Sequence, residues 1–157
     1  VPSRQLKISI DEASQFIESY FKLYPGVKRY IEREIVISRE KGYTSTLFNR
    51  IRYIPEINST DTSIREFGER VAVNTPIQGT AADLIKKAMI NIHGRLNREG
   101  FRSKMLLQVH DELVFEVPEQ ELERIMPMIK EEMEGVYPLI VPLRVDVGKG
   151  RNWDEAH

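Results

Sequence analysis

Three consecutive ionisable residues, His110-Asp111-Glu112, stand between two apolar runs, Met105-Leu106-Leu107-Gln108-Val109 and Leu113-Val114-Phe115-Glu116-Val117. The runs read as antiparallel strands and the three residues as the tip of a β-hairpin. Tight hairpin turns favour Gly, Asn or Asp-Gly, so a tip made of three titratable side chains asks for a chemical reason. A carboxylate on a rigid tip offers the hard oxygen that Mg2+ prefers, as metal-assisted phosphoryl transfer requires. Asp111 is the candidate metal ligand. Successive strand residues point to opposite faces, which makes Glu112 the secondary candidate. For the tripeptide alone, an exposed acidic turn is the more ordinary reading.

A second constellation lies upstream. Arg70, Asn74 and Gln78 are spaced four apart, and an unbroken helix would bring all three polar heads onto one stripe. Minor-groove edges present acceptors at purine N3 and pyrimidine O2 in every base pair, so such donors can test pairing geometry without choosing a sequence. The competing reading is a solvated helix face for Arg70 and Asn74. For Gln78 it is a capping box, Thr75-Pro76-Ile77-Gln78, opening a new helix. The small residues Gly79-Thr80-Ala81-Ala82 read as core packing, and His93 and His157 as surface residues without a role.

The elements that must position these groups follow from caps and periodicity. Ser9-Ile10-Asp11-Glu12 has the form of a capping box and predicts a helix from Ile10 through Phe16, Tyr20 and Phe21, with Pro25 ending it or starting the next. A second helix runs from about Pro25 to Lys41 and stops at Gly42; the stretch from Tyr43 to Thr62 is hairpin or loop. From Thr62 to Arg98 the pattern is helical, with a bend or restart expected at Pro76. After the hairpin, Pro118 closes the second strand, and Leu122, Ile125, Met126, Ile129 and Met133 share one helical face, with a kink or late start at Pro127. Leu143-Arg144-Val145-Asp146-Val147 alternates as a last, half-buried strand. The class is α+β with an antiparallel sheet.

Composition sets the bounds. A chain of 157 residues that is 41% hydrophobic suits one domain with a real core. No cysteine is present, which excludes disulfides and thiolate metal sites and fits a reducing, cytoplasmic setting. Apolar runs fall short of a membrane span and the start shows no signal-peptide pattern, so no membrane partner is expected. The net charge of -1 points to no partner by itself, but a basic stretch from Lys86 to Lys104 precedes an acidic one from Asp111 to Glu134. Two solvated helix faces account for that pattern on charge alone.

The run Gln108-Val109-His110-Asp111-Glu112-Leu113-Val114-Phe115-Glu116 strongly resembles the third polymerase motif of the DNA polymerase I family, family A. The resemblance extends upstream through Glu69-Arg70-Val71-Ala72-Val73-Asn74-Thr75-Pro76-Ile77-Gln78-Gly79-Thr80-Ala81-Ala82-Asp83 and downstream to Asn152-Trp153-Asp154-Glu155-Ala156-His157. It implies a palm-type antiparallel sheet with the motif hairpin at 105–117, packed against several helices, with about 1–60 derived from the fingers and about 61–157 from the palm. It implies template-dependent addition of deoxynucleotides to a primer 3′ end. Asp111 would be metal-binding and catalytic, with Glu112 beside it, and Arg70, Asn74, Gln78 and His110 would contact primer-template DNA. Thr44 to Arg52 resembles the segment that holds the template backbone, although a glycine and arginine cluster is replaced here by Asn49-Arg50-Ile51-Arg52.

The family's other bridging aspartate lies in a motif of the form Asp-Tyr-Ser-x-x-Glu, and no such run is present, nor is the fingers helix that grips the deoxynucleoside triphosphate. The resemblance therefore implies an Mg2+ two-metal site only partly supplied by this chain, inactive alone, with a complementary N-terminal polymerase portion as partner. The alternative is a non-catalytic module that binds primer-template DNA.

Overall fold

A computed structural model describes residues 9–156. Two compact units divide the chain between Ile77 and Gln78. Helix α1 (Ile10–Leu23) starts at a complete capping box: Ser9 accepts from the Glu12 amide while the Glu12 side chain accepts from the Ser9 amide. These bonds hold the Glu12 carboxyl below its ordinary range. Pro25 then opens α2 (Pro25–Lys41) as its first residue, where a missing N–H costs nothing, and Gly42 closes it in the left-handed region at φ 74°.

Strands β1 (Tyr43–Ser45) and β2 (Ile51–Tyr53) follow as a short antiparallel pair, then a 3-10 turn, Pro55–Asn58. Ile54, Ile57 and Ala72 form the buried cluster of the first unit. Gly68 is required there, because a Cβ on it would lie 2.9 Å from the Ile57 backbone.

Helix α3 (Thr62–Arg98) begins where the Asp61 carboxylate accepts from the Ser63 and Ile64 amides, at 2.8 and 3.1 Å. It runs 37 residues without a break, so the restart expected at Pro76 does not occur. Proline cannot bond the carbonyl four residues back, and that carbonyl, on Ala72, accepts instead from the buried Thr44 hydroxyl at 3.4 Å. At the next residue, the Tyr30 hydroxyl donates to Val73 O at 3.2 Å. The Thr44 side chain thus supplies what the proline removes. The capping box at Thr75–Gln78 is accordingly not formed: Thr75 is buried inside the helix and its hydroxyl accepts from Arg52 Nη1 at 3.3 Å.

In the second unit, β3 (Lys104–Val109) and β4 (Glu112–Glu116) pair antiparallel, with an irregularity between Met105 and Leu107 that leaves Leu106 outside the register. A 3-10 turn, Glu119–Glu121, leads into α4 (Leu122–Glu134). The expected apolar face is realised with Met128 added: Ile125, Met128 and Ile129 pack on Ile92 and Leu96 of α3, and alternate hairpin residues Leu113, Phe115 and Val117 close over them. Pro127 stays within α4 on its exposed side. Arg95 ties the two helices together through Glu131 and Glu132 at 2.7 and 3.1 Å and also bonds Glu99, four residues on, at 2.6 Å; these bonds raise its already high pKa, with Glu131 first.

Residues 143–147 alternate in burial as expected but form no ladder, which corrects the expected last strand. The Val145 amide donates instead to Glu134 Oε1 at 3.0 Å. A final short helix, α5 (Trp153–Ala156), ends the described residues. Among them, the strands form two separate two-stranded antiparallel sheets, and the class is α+β. No helix among them is long and apolar enough to cross a membrane.

Candidate functional site

The second hairpin turns more tightly than its sequence suggests. Val109 pairs with Glu112, so Glu112 is the first residue of β4 and the tip is only His110-Asp111. A two-residue turn of this kind needs a positive φ at its first position, and His110 supplies it at 55°. A side chain with a Cβ takes that conformation at a cost, so something must hold it. Gln108 Nε2 donates to the His110 carbonyl at 2.8 Å and braces the turn from the adjoining strand. Asp111 is exposed at the apex, while the Glu112 side chain projects from a ladder residue.

The tip opens onto a depression of about 600 Å³ lined by Val109, His110, Asp111, Glu112, Trp153 and Asp154. Three carboxylates therefore border one space. Their hard oxygens suit Mg2+ or another divalent cation in chemistry, yet no group of three His, Cys, Asp or Glu among the described residues is arranged to hold a metal ion. Asp111 with Glu112 fits the incomplete donor set that magnesium accepts when phosphate oxygens and water fill its other positions.

Trp153 and Asp154 were not singled out by sequence reasoning. Their signal was present only as part of a run shared with a family, because nothing in their spacing from Asp111 predicts that the chain returns to the hairpin tip. The turn that presents them is held by its neighbours. Glu155 N donates to Asn152 Oδ1 at 3.0 Å, and the Glu155 carboxylate accepts from the Arg151 amide and Asn152 Nδ2 at 2.9 and 3.0 Å.

Arg70, Asn74 and Gln78 are all exposed on the unbroken α3, at successive positions of one helical face. Continuity of the helix removes the capping explanation for Gln78. The small residues beyond it differ from expectation: Ala81 and Ala82 are exposed and Gly79 and Thr80 half-buried, so the run presents small side chains outward rather than packing a core.

At the first hairpin, Asn49 adopts φ 63°. Asparagine is among the few residues besides glycine that tolerate the left-handed region. The turn keeps its shape: Thr46 Oγ1 accepts from the Phe48 and Arg50 amides at 3.2 and 3.1 Å.

Comparison with known proteins agrees with this geometry. The chain is 49% identical over 154 residues to DNA polymerase I of Bacillus caldotenax and 52% identical to the thermostable DNA polymerase I of Thermus thermophilus, in each case across 98% of its length. It spans only 18% of either relative. A solved structure of the POL domain of Pol1 from M. smegmatis, in complex with DNA primer-template and dNTP, superposes with a TM-score of 0.95 at 49% identity, covering 98% of this chain and 27% of that one. The model of DNA polymerase family A matches residues 2–155, and the chain belongs to that family.

Proposed function

We propose that this chain is part of a DNA-directed DNA polymerase, a nucleotidyltransferase that adds deoxynucleotides to a primer 3′ end on a template. The observation that carries the reading is Asp111, set at the apex of a braced two-residue turn over a carboxylate-bordered depression. In this reading Asp111 holds a divalent cation, Mg2+ by preference, and Glu112 stands beside it in a secondary role. The cation, when bound, neutralises charge on the transferring phosphoryl group. His110 donates to the primer strand next to that point. Arg70, Asn74 and Gln78 offer donors to the minor groove of primer-template DNA, a contact indifferent to sequence. Residues about 1–60 act as part of the fingers and about 61–157 as part of the palm. In this reading the chain works in a cytoplasmic setting, which its lack of cysteine supports.

The chain supplies at most one of the two metal-bridging aspartates, since no Asp-Tyr-Ser-x-x-Glu run is present. A complementary polymerase portion must bring the other and the nucleotide-gripping helix. The pure 157-residue chain is therefore expected to give no templated extension, and incorporation by it alone would refute this division. After reconstitution with the complementary portion, Asp111→Ala should abolish extension while sparing DNA binding, and Glu112→Ala should leave more activity. Near-normal rates for both would remove Asp111 as the ligand. The second reading, a non-catalytic module that binds primer-template DNA, rests on the exposed stripe of Arg70, Asn74 and Gln78, which needs no metal ion to bind DNA. It predicts tight binding by the isolated chain and no gain of extension on reconstitution. Gln78→Ala should leave thermal stability unchanged and slow extension by about 1 kcal/mol in barrier, the worth of one lost hydrogen bond.

A further inference from the structure

Pro76 leaves one carbonyl of α3 without its helical partner, yet three side chains of the first unit meet the helix at that turn. The Thr44 hydroxyl, from β1, donates to Ala72 O at 3.4 Å. The Tyr30 hydroxyl, from α2, donates to Val73 O at 3.2 Å, and Arg52 Nη1, from β2, donates to Thr75 Oγ1 at 3.3 Å. Thr44, Ala72 and Thr75 are buried, so the bonds lie on the inner side of the turn. Asn74, between the bonded residues in sequence, is exposed on the outer side.

Only the first of these bonds replaces what the proline removes. A carbonyl inside a helix accepts from the amide four residues on, and a threonine hydroxyl inside a helix can turn to its own backbone. The bonds from Tyr30 and Arg52 therefore do more than satisfy abandoned groups: they hold the turn in place. A proline turn is where a long helix bends most easily, because its ladder lacks a bond and the ring crowds the carbonyl four residues back. A tilt of about 10° displaces a side-chain head at the helix rim, roughly 5–6 Å from the axis, by about 1 Å. Hydrogen-bond geometry does not tolerate that error. Thr44 is 3% exposed and cannot meet DNA itself, so any influence it has on a bound duplex travels through the helix.

Resting on the polymerase reading and its contact between Asn74 and the minor groove, we propose that Thr44 and Tyr30 are positioning residues. They hold the proline turn of α3 so that Asn74 meets the minor groove of primer-template DNA, with Arg52 as the third anchor. Discrimination against mispaired primer ends then depends on two hydroxyls that never touch the duplex.

The test measures single-nucleotide extension from matched and mismatched primer ends by the reconstituted polymerase. Wild type is compared with Thr44→Val, Thr44→Ser, Tyr30→Phe, Asn74→Ala and the double variant Thr44→Val/Asn74→Ala. Asn74→Ala should lower the matched-to-mismatched ratio about fivefold, the worth of one hydrogen bond. Thr44→Val keeps the shape and removes the donor, and should lower the ratio about threefold; Tyr30→Phe should lower it about twofold. Thr44→Ser, which keeps a hydroxyl, should stay near wild type. The double variant should fall no further than Asn74→Ala alone, because the hydroxyl acts through that side chain. A merely structural Thr44 would lower thermal stability and both extension rates together and leave the ratio unchanged. That result, or losses that multiply in the double variant, overturns the proposal. If Thr44→Val does not fold, Tyr30→Phe decides, since it keeps the ring and a wild-type ratio in it overturns the proposal equally. A wild-type ratio in Asn74→Ala would instead bring down the minor-groove contact, and the proposal with it. Normal extension by Asp111→Ala would bring down the polymerase reading itself, so the failures are distinct.

Discussion

The two hairpins solve the same geometric problem with different chemistry. Each places one non-glycine residue in the left-handed region at its turn, Asn49 at φ 63° and His110 at φ 55°. At the first, the residue type itself tolerates the conformation, and the Thr46 hydroxyl satisfies the turn's amides. At the second, histidine fits the conformation less well, and the brace comes from outside the turn, from Gln108 to the His110 carbonyl. The more tolerant residue thus sits at the first turn, and the less tolerant one sits beside Asp111. Strain of this kind persists only where the surroundings over-determine it, which is why it marks functional positions.

This contrast can be broken most sharply at Asn49. A β-branched residue suits neither the left-handed region nor the tight turn, so Asn49→Val should cost about 2 kcal/mol, seen in urea unfolding of the chain. Asn49→Gly should be nearly neutral. If valine is tolerated as well as glycine, the first turn does not depend on its residue type and the comparison fails on that side.

A smaller effect is expected at the brace. Gln108→Ala removes one hydrogen bond, worth about 1 kcal/mol, at an exposed site. The signature that separates bracing from general stabilisation is in activity: extension by the reconstituted enzyme should slow more than global stability falls. Equal, small changes in both would show that the hairpin register alone aims Asp111.

How much of this was legible in the sequence follows from the range of each interaction. The capping box at Ser9 and the glycine stop at Gly42 are local, and both were read to the residue. The hairpin was read from its flanking strands, although its tip was drawn one residue too long, because Glu112 is indistinguishable from a turn residue until Val109 is seen paired with it. Of the bend or restart expected at Pro76, the restart does not occur, for a non-local reason: Thr44, far off in sequence, satisfies the carbonyl that the proline abandons. The strand expected at 143–147 has the right alternation, but alternation reports burial and not a ladder partner. Asp111 was legible as a candidate through its unusual setting. The return of Trp153 and Asp154 to that setting is tertiary, and no spacing rule announces it.

The smallest expected effect sets the root of the second hairpin against the turn of the first and is read as a function of pH. Just before β3, the Glu121 carboxylate accepts from the Ser103 hydroxyl, from the Arg102 amide and from the Ser103 amide. These bonds, the Ser103 hydroxyl first, hold its pKa below the ordinary glutamate value of 4.5. A carboxyl depressed in the folded state contributes stability that is fully present above its unfolded pKa and is lost as pH falls through the folded value. The window therefore opens near pH 4.5 and extends downward. Across it, protection of the Arg102 and Ser103 amides against hydrogen exchange, corrected for intrinsic rates, should decline. The Phe48 and Arg50 amides, held by the uncharged Thr46 hydroxyl, should show no matching decline in the same spectra. Glu121→Gln keeps an acceptor and removes the titration, so its Arg102 and Ser103 amides should be less protected at neutral pH and flat across the window. The same decline in Glu121→Gln would assign the acid sensitivity to other carboxylates and leave the second hairpin's root no more dependent on charge at Glu121 than the first hairpin's turn is.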